Sequence, residues 1–224
     1  MLDFSHDTEY ARKYGSVCGT DEAGRGPLAG PVVAAAVILP DGMMIDGLDD
    51  SKKLSEKKRE ALYDTIIEKA VAYGIAEATP EEIDEMNILA ASLMAMRRAV
   101  DIVKQTAAPG VVLIDGNRQT DFGVPSFTVV HGDAISQSIA AASVLAKVHR
   151  DRIMDEYDKK YPVYGFIKHK GYPTPAHKLA VYEFGPSDIH RRSFLSYLTK
   201  EKDKLEAALQ KKNQGEKDAG NEHA

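Results

Sequence analysis

With 224 residues, 43% of them apolar, and a net charge of −5, the chain can close one sizeable core and is too acidic to coat a polyanion with its whole surface. A single cysteine, Cys18, excludes an internal disulfide, and no His/Cys spacing resembles a zinc site, which suits a reducing, cytoplasmic setting. The N-terminus is acidic without an apolar core segment, and no stretch approaches the length that spans a bilayer, so neither export nor a membrane partner is expected.

In chain order, SVCGTD (16–21) reads as a short strand that stops at charge, and the apolar run VVAAAVIL (32–39), bounded by Pro31 and Pro40, as a second. Between them EAGRGPLAGP (22–31) holds three glycines and two prolines, which predicts a loop of tight turns. Ser55 is placed to cap a helix carrying Leu62, Tyr63, Ile66, Ile67 and Ala70 at helical spacing, and VAYGIAEA (71–78) follows as a third strand. Thr79, Pro80 and Glu82 form a capping-box start, and Leu89, Leu93, Met96, Val100 and Val103 draw one apolar stripe along the succeeding helix.

VVLIDG (111–116) is an apolar run ending in an aspartate, as expected of a strand buried on both faces whose carboxyl end opens into a site. FTVV (127–130) is a shorter strand of the same kind. In HGDAISQSIAAASVLAKVHRD (131–151), Ile135, Ile139, Ala142 and Leu145 line one helical face, which puts Asp133 at or just before the first turn. Residues 165–194, rich in Gly, Pro, His and aromatics, read as an irregular, functional stretch. KEKDKLEAALQKK (200–212) reads as an exposed helix and NQGEKDAGNEHA (213–224) has the composition of a disordered tail. The expected organisation is one catalytic domain over 1–198, with the exposed helix and tail at 199–224.

Charge is unevenly spread: residues 147–192 hold ten Lys/Arg against six Asp/Glu. Such a segment either grips phosphates or is an ordinary solvated basic surface. Asp21, Glu22, Asp115 and Asp133 all follow predicted strands. Converging carboxylates repel one another unless a cation is bound, so this constellation points to hard divalent ions with oxygen ligands, Mg²⁺ or Mn²⁺. A pair of such ions roughly 3.5–4 Å apart neutralises both the attacking and the leaving oxygen of a phosphodiester. Taken singly, Asp133 reads more readily as a helix cap, and Asp21 with Glu22 equally as a polar loop edge. Gly24-Arg25-Gly26 lets backbone approach a ligand beside a phosphate-binding fork, although as a lone tripeptide it is more often a turn.

GTDEAGRGPLAGPVVAAAVIL, DDSKKLS, MNILAASL, VLIDG, HGDAISQSIAAASVLAKVHRD and KHKGYPTPAH…GPSDIHRRSF together resemble the blocks of type 2 ribonuclease H, over residues 14–197. The resemblance implies an α/β ribonuclease H-like fold, a mixed five-stranded sheet flanked by helices with a helical C-terminal extension. It implies that Asp21, Glu22, Asp115 and Asp133 are catalytic metal ligands. It further implies that Gly24, Arg25 and Gly26 read the ribonucleotide's 2′-hydroxyl and neighbouring phosphates, and that Tyr172 stacks on the following deoxyribose. Lys52, Asn87, Ser143 and Lys147 lie in matching blocks and are carried over as backbone or phosphate contacts. Asp188 departs from the family's usual proline, which leaves the local loop conformation open.

The activity implied is cleavage of the RNA strand of RNA·DNA hybrids and of duplex DNA 5′ of embedded ribonucleotides, giving 3′-hydroxyl and 5′-phosphate ends. The expected partners are those nucleic acids, and the expected state is a cytoplasmic monomer. Two alternatives are an integrase-like or junction-resolving nuclease of the same fold, and a non-catalytic hybrid-binding module that needs no metal.

Overall fold

A computed structural model describes residues 5–221, with side chains described for residues 6–214. In chain order the elements are α1 (Ser5–Tyr14), β1 (Val17–Ala23), β2 (Val32–Ile38), α2 (Glu56–Lys69), β3 (Ala72–Ala78), α3 (Pro80–Met86), α4 (Ile88–Val103), β4 (Val111–Asp115), β5 (Ser126–Val129), α5 (Gly132–Ile135), α6 (Gln137–Lys160), α7 (Phe166–His169), α8 (Pro175–Phe184), α9 (Tyr197–Lys200) and α10 (Lys202–Asn221). Short 3-10 turns lie at Pro162–Tyr164 and Arg192–Phe194. The chain divides into two compact units, Met1–Arg25 with Pro31–Arg152, and Gly26–Gly30 with Ile153–Ala224.

The first unit is built on a five-stranded sheet of order β3-β2-β1-β4-β5. β3, β2 and β1 are antiparallel, while β1, β4 and β5 are parallel. All seven residues of β2 are buried, as a strand without a polar side chain must be. Ala35 and Val37 pack with Leu62, Ile66, Leu145 and Val148 in one cluster, and Val111, Leu113 and Ile139 form another. The predicted caps are present: Ser55 accepts from Lys58 N–H, and Thr79 and Glu82 close a reciprocal capping box. Among the described residues no helix is long and apolar enough to cross a membrane.

Register places the acids. Thr20 lies beside Ile114 in the parallel pair, so one residue further on Asp21 and Asp115 stand at the same end of the two neighbouring strands. β1 does not stop at its charges; it continues through Asp21 and Glu22 to Ala23, because these residues still pair with Ala35, Ala34 and Val33 of β2. The helix expected after β5 is also broken in two. Ser136 adopts an extended conformation, which ends α5, and Ile135 is 39% exposed instead of joining the buried stripe of Ile139, Ala142 and Leu145.

The second unit has its own core, in which Leu28 and Ala29 pack with Met154, Tyr164, Phe166, Val181, Ile189, Tyr197 and Leu205. Residues 165–194 are less irregular than their composition suggests: Thr174 caps α8, with Pro175 in its first turn. The chain does not divide near residue 198. Tyr197 and Leu205 are buried in this core, and Lys178 on α8 pairs with Glu201 at 2.6 Å. The stretch from Asn213, expected as a disordered tail, continues α10 to Asn221, in keeping with its Gln, Glu, Lys and Ala content; the last three residues lie outside those described.

Candidate active site

Asp21 is 4% exposed and Asp133 is 6% exposed, so neither carboxylate is an ordinary surface charge. Asp21 Oδ1 accepts from Glu22 N–H at 2.7 Å. Asp115 Oδ1 accepts from Gly132 N–H at 2.8 Å and faces Asp133 N–H at 3.4 Å, which ties the end of β4 to the short helix α5. Asp133 sits in the first turn of α5, whose N-cap residue, His131, makes no side-chain cap.

Electrostatics shows the acids acting on one another. Burial, and then the Glu22 and Asp115 carboxylates, push the Asp21 carboxyl well above the usual carboxylate range. Burial raises Glu22, against the lowering effect of Arg25. Burial and then the Asp133 carboxylate raise Asp115. Lys52 answers this crowding: its Nζ lies 3.3 Å from Asp133 Oδ2 and 3.8 Å from Asp50 Oδ1. Burial alone would lower the Lys52 ammonium, but Asp133, Asp21 and Asp50 outweigh it and raise its pKa. Arg25 does the same for Glu22, with Nη1 3.3 Å from Oε1.

The donor set is four carboxylates, the oxygen chemistry that hard divalent cations prefer, and three of them are raised by burial and neighbouring charge, the condition a cation relieves. Among the described residues no three acids or histidines are drawn to the spacing of a bound ion. Asp133 and Glu22 are instead turned to Lys52 and Arg25, as uncompensated carboxylates would be. The donors therefore fit Mg²⁺ or Mn²⁺ in chemistry.

Gly24 has φ +98°, and a Cβ there would lie 2.1 Å from Arg150 Nε and 2.9 Å from Pro31 O, so this position admits only glycine. Arg150 is fully buried on α6 and donates from Nε to Pro31 O at 3.0 Å. Gly26 differs: a Cβ would meet only Tyr172 Cε1, at 3.7 Å, an ordinary contact. Tyr172 is 42% exposed, and the carbonyl of the preceding Gly171 accepts from Leu28 N–H at 2.8 Å. Buried Arg191 holds the same loop, from Nε to Gly30 O and from Nη1 to Pro27 O, both at 2.9 Å.

Three other expected contacts are engaged elsewhere, and no described hydrogen bond or ion pair joins them to the acids. Asn87, at φ +74°, caps α4 by accepting from Leu89 and Ala90 N–H. Ser143 is buried and shares a 2.7 Å hydrogen bond with Ser51, which anchors the loop carrying Lys52. Lys147 Nζ lies 2.6 Å from Asp151 Oδ1, and burial lowers its pKa. Asp188 occupies the first central position of a turn closed by His190 N–H to Ser187 O at 3.2 Å, a place where proline and aspartate are both at home.

Arg150 and Arg191 are site-supporting residues that sequence patterning did not single out. The excess of positive charge over 147–192 suggested phosphate contacts, yet these two are wholly internal and spend their donors on loop carbonyls. A signal existed for Arg150: it falls on the buried stripe that runs Ile139, Ala142, Ala146 along α6, where a charge must have a built partner.

The sequence profile of the family Ribonuclease HII matches residues 18–197. A ribonuclease HII of Shewanella amazonensis is 57% identical over 180 residues, covering 80% of this chain and 86% of that one. One from Burkholderia ambifaria is 53% identical over 192 residues, covering 86% and 88%. Among solved structures, the ribonuclease H2 of Pyrococcus horikoshii OT3 superposes with a TM-score of 0.69 at 27% identity, over 85% of this chain and 99% of that one. The chain therefore belongs to the ribonuclease HII family and is an endoribonuclease that acts on RNA·DNA hybrids.

Proposed function

We propose that this chain also cuts duplex DNA 5′ of embedded ribonucleotides, by hydrolysis assisted by two Mg²⁺ or Mn²⁺ ions that leaves a 3′-hydroxyl and a 5′-phosphate. The observation that carries the reading is the register of β1 and β4, which sets Asp21 and Asp115 at the same end of neighbouring strands, with Asp115 hydrogen-bonded to the turn holding Asp133. Asp21, Glu22, Asp115 and Asp133 would hold the ions. When bound, the ions supply charge neutralisation at the attacking and leaving oxygens and a water of lowered pKa.

The protein's own part is orientation and charge. Gly132 N–H fixes the rotamer of Asp115, so the carboxylate is presented without reorganisation when substrate arrives. Lys52 and Arg25 neutralise Asp133 and Glu22 in the free protein, and both become donors for phosphate oxygens once those acids are neutralised otherwise. Discrimination of RNA from DNA needs contacts at the 2′-hydroxyl, and we assign these to the backbone of Gly24, Arg25 and Gly26. The exposed ring of Tyr172 is assigned to packing on the deoxyribose that follows. A reducing, cytoplasmic location fits the free, buried Cys18.

Asp115→Asn tests the ligand assignment, because it removes charge without changing volume. Cleavage of a hybrid in saturating Mg²⁺ should be abolished while duplex binding measured by anisotropy persists. Turnover near that of the unsubstituted protein would refute the assignment.

A further inference from the structure

Tyr172 presents an exposed ring on a backbone that is held at every polar group. Its N–H donates to His169 O at 2.8 Å, and its carbonyl accepts from Thr174 N–H at 2.8 Å and faces His177 Nδ1 at 2.9 Å. Behind it lies a row of histidine rings. His177 Nε2 is 3.0 Å from His190 Nε2, and His190 Nδ1 is 3.0 Å from Ser187 N and 2.8 Å from Ser187 Oγ. His169 stacks on His177 with centroids 4.5 Å apart, faces Tyr164 O through Nε2 at 2.9 Å, and accepts from Gly171 N–H through Nδ1 at 3.2 Å.

The partners at the two ends fix the protons. A carbonyl only accepts, so His177 Nδ1 carries the hydrogen that meets Tyr172 O, and its Nε2 is bare. An amide only donates, so His190 Nδ1 accepts from Ser187, and the His190 hydrogen sits on Nε2, pointing at His177. Both rings are neutral, and the polarity runs unbroken from Ser187 to Tyr172. By the same reasoning His169 carries its hydrogen on Nε2. His177 and His190 are fully enclosed, so no water competes for these bonds.

We infer that His177, backed by His190 and flanked by His169, is a positioning residue for ribonucleotide recognition: the neutral rings form a strut that locks the Tyr172 turn and sets where the exposed ring stands beside Gly26. This rests on the reading that Tyr172 recognises the deoxyribose after the ribonucleotide. The strut acts on the same loop that Gly171 O clamps through Leu28 N–H, so ring and loop backbone are held as one piece.

The test compares cleavage of a duplex carrying a single ribonucleotide with cleavage of a long RNA·DNA hybrid for Tyr172→Ala, His177→Leu, His177→Asn and the double variant Tyr172→Ala/His177→Leu. His177→Leu should reduce the single-ribonucleotide rate, relative to the hybrid rate, by about fivefold, as expected for losing one net hydrogen bond. His177→Asn, whose Nδ2 reaches the place of the lost Nδ1–H, should restore most of that preference. The double variant should show no greater loss of preference than Tyr172→Ala alone. If Tyr172→Ala shifts the preference and His177→Leu lowers both rates equally, the strut is refuted while the role of Tyr172 stands. If Tyr172→Ala itself leaves the preference unchanged, the underlying reading fails. Nitrogen-15 NMR of the intact, unsubstituted protein near pH 7 gives an answer that does not depend on how a variant folds. Neutral rings with hydrogen on Nδ1 of His177 and Nε2 of His190 are expected, and the opposite tautomers or a charged ring would overturn the inference.

Discussion

Lys52 Nζ stands 3.3 Å from Asp133 Oδ2, so a flexible ammonium serves as counter-ion to one of the acids assigned to hold metal. Its side chain is 72% exposed, and an exposed pair of this kind contributes at most about 1 kcal/mol. Lys52→Ala should therefore leave metal-free stability nearly unchanged. It should enlarge the rise in melting temperature that Mg²⁺ produces, because the ion no longer displaces a resident cation. Melting curves with and without Mg²⁺ check this, and an unchanged or smaller Mg²⁺ effect would count against it.

The two glycines flanking Arg25 should respond differently to alanine. Gly24→Ala adds a methyl group at φ +98° and drives it into Arg150 and Pro31, so a loss of about 2 kcal/mol or more is expected. Gly26→Ala meets only the edge of Tyr172 at ordinary contact distance, and its stability should stay within about 0.5 kcal/mol. Its cost should fall on cleavage at a lone ribonucleotide. Denaturant unfolding and cleavage assays on both variants separate the cases, and equal destabilisation of the two would contradict the difference in their surroundings.

The histidine row makes a signed prediction about acid. Burial lowers His177 to about 4, and burial with the neighbouring His177 lowers His190 to about 3, both from 6.5. The unfolded chain takes up protons first as pH falls, so this contribution to stability is complete above about pH 6.5 and is lost progressively toward pH 4 and then 3. The slope is about 1.4 kcal/mol per pH unit for each proton taken up on unfolding. Carboxylates titrate alike in both proteins, so the difference between unsubstituted protein and His177→Asn isolates the ring. Between pH 6.5 and 4.5 the variant should lose stability less steeply, and parallel curves would refute the account.

The features that sequence reading recovers are those with local causes. Ser55, Thr79 and Pro80 mark helix starts because a cap needs only its next three residues, and the apolar runs of β2 and β4 mark buried strands because both faces are covered. The four acids stand out together in the sequence because each follows an apolar run. What escapes depends on distant partners. Ile135 has the spacing of a buried face, but the break at Ser136 cannot be seen in a periodicity. The helix α1 carries a weak apolar pattern, Tyr10, Ala11 and Tyr14, and is placed by packing against Phe127. Arg191 reads as a phosphate-binding cation until its carbonyl partners, more than 160 positions away, are known. His177 and His190 are separated by a helix and a turn, so nothing in their spacing announces a hydrogen bond.

Whether the acids and the glycine-flanked loop direct metal-assisted hydrolysis to a ribonucleotide can be decided on one gel. A duplex of DNA with a single ribonucleotide, labelled at the 5′ end of that strand, is incubated with the protein in Mg²⁺, in Mn²⁺ and in chelator, and the cut is read at nucleotide resolution. One cut on the 5′ side of the ribonucleotide is expected, with a labelled product ending in a 3′-hydroxyl that a polymerase extends, and no cleavage in chelator. Cleavage that persists in chelator, or a cut on the 3′ side leaving a cyclic phosphate, would contradict the proposed function.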